Sequence, residues 1–95
     1  MISIIIFKMK NDRGNIRDTW DMYEYVILDA PRLMGFDTQR ELWRRDLGDN
    51  SMWCWYCYDP KSGGWDNSFL SSPFTYGNIN IEKIESVDDL FLEML

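Results

Sequence analysis

Apolar positions along the chain change period several times, and each change marks an element. Ile2 to Met9 is β-branched and aromatic with both parities apolar at its start, Ile2, Ile4 and Ile6 on one and Ile5 and Phe7 on the other. That pattern predicts a strand covered on both faces, closed by turn chemistry at Asn11-Asp12-Arg13-Gly14-Asn15. Residues 16–28 carry two competing patterns. Asp18 or Thr19 could cap a helix with Trp20, Tyr23 and Ile27 on one face, whereas Met22 to Leu28 has the composition strands prefer. Strand is the reading taken for 22–28. Ala30-Pro31 ends it, because proline lacks a donor and restricts the residue before it; Gly35 adds another break.

Thr38-Gln-Arg-Glu41 matches a capping box, with Asp37 as the other possible cap, and predicts a short helix running to Leu47 with Gly48 in the left-handed position after it. On such a helix Glu41 and Arg45 pair, and Arg40 and Arg44 share a face. Ser51 to Tyr58 is the clearest strand, with Trp53, Trp55 and Cys57 pointing one way and Met52, Cys54, Tyr56 and Tyr58 the other. Asp59-Pro-Lys-Ser-Gly-Gly64 predicts a turn, Trp65 to Leu70 a returning strand, and residues 71–78 a loop. Ile79, Ile81 and Ile84 break strict alternation by one residue, as at a bulge or strand end. Ser86 then caps a helix whose Val87, Leu90, Phe91 and Met94 form an i, i+3, i+4, i+7 stripe, with Asp88 and Asp89 in its first turn. The sum is a single α+β domain over 1–95: an antiparallel sheet of about four or five strands and two short helices, in two layers.

Fifteen of the 95 residues are aromatic, enough area for a core without disulfides. Histidine is absent, which removes the commonest general base, proton shuttle and neutral metal ligand. The net charge is −6, and it is unevenly spread. Residues 1–48 balance, whereas in 49–95 only Lys61 and Lys83 face eight acids. Nucleic acid would be repelled as a direct partner, and a basic protein surface attracted.

Cys54 and Cys57 form a CxxC, but strand-like flanks place their sulfurs on opposite faces, and two further zinc ligands are lacking. Two small, buried, reduced thiols are the simpler expectation. The N-terminal stretch has no basic n-region, which suggests a cytoplasmic rather than secreted or membrane protein. No nucleophile–base spacing, phosphate loop or calcium ladder is present, so neither catalytic residues nor a metal or cofactor is expected.

These exclusions favour a small non-enzymatic binding protein. Its expected contacts are the acids Glu82, Glu85, Asp88, Asp89 and Glu93, which steer, and the rings Trp53, Trp55, Tyr56, Tyr58 and Trp65, which anchor. Nucleic-acid-handling proteins offer abundant basic clefts, so the concrete form is an inhibitor of a nuclease or other nucleic-acid-binding protein, in the manner of phage anti-restriction, anti-CRISPR or immunity proteins. Two other readings compete: self-association of the acidic half with an Arg40/Arg44/Arg45 spot on a second copy as a homodimer, and a thiol enzyme using Cys54 and Cys57.

Overall fold

The computed structural model describes residues 16–32, 37–51, 53–67 and 72–95. The strand expected over 2–9 with its turn, the break at Gly35 and the far part of the strand from Trp65 lie outside them. Five strands, β1 (Tyr23–Pro31), β2 (Thr38–Asp46), β3 (Trp55–Asp59), β4 (Gly64–Asp66) and β5 (Ile81–Lys83), form one antiparallel sheet in the order β4-β3-β2-β1-β5. One helix, α1 (Val87–Glu93), follows, and the architecture is α+β. The first four strands meander; the chain then crosses to pair β5 with the free side of β1.

β1 explains why the sheet needs two covers. Its Tyr25 and Ile27 join a cluster with Leu42, Ile84 and Leu90, against which α1 lays Val87, Phe91 and Met94. Its Val26, Leu28 and Ala30 join Trp43 and Trp55 in a second cluster, which Tyr76 and Ile79 of the β4–β5 connection overlie. A strand buried on both faces loses its alternation of polar and apolar residues, as the run Tyr-Val-Ile-Leu shows.

Residues 38–47 are a strand, not the expected helix, and the capping box is not used. Adjacent Leu42 and Trp43 are both buried, one in each cluster, and only an extended backbone sends neighbours to opposite faces. Burying two such side chains contributes roughly 1.5–3 kcal/mol each, which outweighs a cap worth about 1 kcal/mol. The charges that suggested a helix are satisfied across the sheet. Arg40 donates to Glu93 on α1 at 2.9 and 3.3 Å and to Asp29 on β1 at 3.4 Å. Glu41 accepts from Tyr76 Oη at 2.8 Å and Trp43 Nε1 at 3.0 Å, and Arg45 pairs with Glu24 at 3.5 Å instead of with Glu41. Gly48 stays outside the left-handed region, which Gly63 in the β3–β4 turn adopts with φ of 74°.

β3 starts at Trp55 rather than at 51 because short side chains capture the preceding amides: Asp49 Oδ1 accepts from Ser51 N at 2.8 Å and Ser51 Oγ from Trp53 N at 3.1 Å. The β3–β4 hairpin and the strand around Ile81 form as expected, each shorter than its pattern. α1 has the expected cap, Ser86 Oγ accepting from Asp89 N at 3.1 Å. Ser86→Ala should cost about 1 kcal/mol in urea unfolding; an unchanged midpoint would show that the cap adds nothing.

Candidate protein-binding surface

The predicted contact residues fall into three groups. Trp55 is buried in the second cluster beneath the β4–β5 connection, with Phe74 edge-on to its ring at 5.7 Å, so it is a core residue and not a contact. Tyr56, Tyr58 and Trp65 are half-buried on the α1 side of β3 and β4, where Tyr58 and Trp65 pack at 5.1 Å and Trp65 meets Tyr25 at 5.7 Å. Trp53 is 49% exposed at the end of the sheet.

Register accounts for what surrounds Trp53. Extending the β1–β2 and β2–β3 pairings by one and two residues sets Met22 beside Leu47 and Leu47 beside Trp53, and Leu47 N donates to Met22 O at 3.1 Å. Asp46 N donates to Cys54 O in the next row at 2.9 Å. Met22 is 58% and Leu47 46% exposed, so three large exposed apolar residues occupy neighbouring register positions at one end of the sheet.

Asp88, Asp89 and Leu92 lie on α1 off the stripe that enters the core, and with Glu85, which precedes the Ser86 cap, all four are exposed, Leu92 at 67%. Glu85 and Leu47 line one shallow cleft of about 230 Å³ together with Asp21, Glu24 and Lys83. The cleft sets Leu47 beside Glu85. Glu82 projects from the edge strand β5 to the α1 side, accepting from Asn80 at 3.2 Å. Glu93 is held in the fork of Arg40 and ties α1 to β2, a structural task.

Of the eight acids in residues 49–95, only Asp88 and Glu93 have an ion pair among the described residues. The Asp88–Arg17 pair is long, 3.4 Å, and exposed on both sides, so it neutralises little. Asp49 and Asp59 are held below the usual carboxylate range by hydrogen bonds, from Ser51 and from the Lys61 amide respectively, and keep their charge well into acid. The basic spot dissolves: Arg40 and Arg44 project to the α1 side and Arg45 to the other, and Arg40 and Arg45 already hold carboxylates of their own chain.

The two cysteines are free and half-buried, and both pack on the second cluster, because Cys54 precedes β3 and escapes its alternation. Burial, and after it the Glu41 carboxylate, pushes the Cys57 thiol up to about 12; burial followed by the hydrogen bond to Glu41 raises Tyr76 to about 12. Acids raised in the fold lend stability that is complete below their unfolded values, ~8.5 and ~10, and is lost as pH rises through the folded values. The urea midpoint should therefore fall between about pH 8.5 and 12. Cys57→Ala should remove the earliest part of that fall; an identical profile in the variant would contradict the assignment.

Sequence reasoning missed Leu47, Met22 and Leu92. Leu92 was legible as the apolar residue off the buried stripe; the placing of Leu47 beside Met22 required the register of β2. Among the described residues no group of three or more His, Cys, Asp or Glu is arranged to hold a metal ion, and no helix is long and apolar enough to cross a membrane. No protein-family model matches the chain, and comparison with curated proteins and with solved structures gives no significant match.

Proposed function

We propose that the protein is a non-enzymatic binding protein that docks its acidic end on a basic protein surface, and that the basic surface is the nucleic-acid cleft of a nuclease or related protein. The observation that carries this reading is the cleft in which Leu47 meets Asp21, Glu24 and Glu85. It places Leu47 beside three carboxylates and a single cation, Lys83; exposed Trp53 and Leu92 add area, and exposed Asp88 and Asp89 add to the potential that steers a basic partner in. The same acids oppose binding of nucleic acid itself. A thiol-based activity draws no support from Cys57, whose raised value leaves almost none of it as the nucleophilic thiolate near neutrality.

The test is capture on the immobilised chain at low ionic strength followed by a salt gradient. The expected result is a retained protein of basic surface, released as salt rises and not retained by Trp53→Ala with Leu47→Ser. Retention of acidic or neutral proteins, unaffected by salt, contradicts the reading.

A further inference from the structure

A second site lies on the α1 side of the sheet, next to the acidic cleft with which it shares Tyr23. Arg44 stands in the middle strand with Tyr23 on the β1 side and Trp65 on the β4 side, its guanidinium carbon 4.1 and 4.5 Å from the two ring centroids. Arg17, Arg40 and Arg45 each hold a carboxylate; Arg44, in a chain of net charge −6, holds none among the described residues. Its buried Nε and the buried hydroxyl of neighbouring Tyr25 have no other hydrogen-bond partner and act on one another.

Arg44 faces an open cleft of about 440 Å³ whose walls are Ile16, Tyr23, Trp65 and Met94 together with the polar Thr19, with Gly63 and Gly64 at the rim. A side chain at Gly63 would meet nothing within 4 Å, so the turn leaves the mouth open. Arg44 is the one charged residue among those lining the cleft. One guanidinium fork among largely aromatic and aliphatic side chains matches one negative charge on an apolar body; a dianion would be half-compensated and would also face the acidic surroundings of this chain. We infer that this cleft binds a monocarboxylate with an apolar or aromatic body, the carboxylate accepting from Arg44 and the body lying between Trp65 and Met94. The cleft adjoins the docking surface through Tyr23, which lines both, but shares none of its anchors Leu47, Trp53 and Leu92.

The experiment is titration of the isotope-labelled full chain with 3-phenylpropanoate at fixed ionic strength, following indole N–H resonances by NMR, Trp65's being the one lost in Trp65→Phe. The Trp65 signal should shift saturably. The neutral 3-phenylpropanamide and inorganic phosphate should each bind at least about tenfold more weakly, the loss of one charge-assisted pair. Arg44→Lys keeps the charge and loses the fork; once shown to be folded by thermal unfolding, it should bind about tenfold more weakly too. No saturable shift at Trp65, equal binding of the amide or of phosphate, or undiminished binding in folded Arg44→Lys overturns the inference. If Arg44→Lys does not fold, the comparison of the three ligands on the parent chain decides.

Discussion

Leu90→Ala should lower the unfolding free energy by about 3 kcal/mol, within the range for deleting a fully buried leucine side chain. Leu90 is completely inaccessible and is the one residue of α1 buried in the cluster with Tyr25, Ile27 and Leu42. A helix of seven residues cannot hold itself in water, so its stability comes from this contact, the Ser86 cap and the Arg40–Glu93 tie. At roughly 4–8 °C per kcal/mol for a domain of this size, the melting temperature should drop by about 12–24 °C. The control is Leu92→Ala off the buried stripe, which should change stability by no more than about 0.5 kcal/mol. Equal losses from the two would mean that α1 does not pack as described.

The second large effect concerns association. Asp88→Lys with Asp89→Lys reverses the exposed acids of α1 while sparing Leu90, and the association rate for the captured basic partner should fall by about tenfold or more at low salt, with a shallower salt dependence. The same change removes two acids from the first turn of α1, which costs roughly 0.3–1 kcal/mol each through the helix dipole, so folding is checked alongside. Asp66→Lys on β4, at the far sheet edge, separates local from global charge. It should slow association far less per charge reversed. An equal effect would place the steering in net charge alone, and no effect from Asp88 and Asp89 would reduce them to helix capping.

The elements legible in the sequence were those whose signal was local. Ser86 with its stripe, the Asp59–Gly64 turn and the β-rich run ending at Pro31 are each decided by residues in contact along the chain. β2 was not legible, because Thr38-Gln-Arg-Glu41 carries a sound local helix signal that tertiary burial of Leu42 and Trp43 overrides. Its charges look solvated in the sequence and are paired only in three dimensions, Arg40 with α1 and Glu41 with Tyr76, thirty-five residues away. The same limit applies to the candidate site. Glu85, Asp88, Asp89 and Trp53, expected as contacts, are exposed, whereas the burial of Trp55 depends on which face residues 72–80 cross. The engagement of Glu93 depends on Arg40 lying in a strand.

The most direct test of the docking account is competition for the captured partner. A labelled duplex is bound to that partner, fluorescence anisotropy is followed as the chain is added, and the chain should displace the duplex at one-to-one stoichiometry. A ternary complex in which duplex and chain are held together, or a duplex that stays bound at saturating chain, would contradict it.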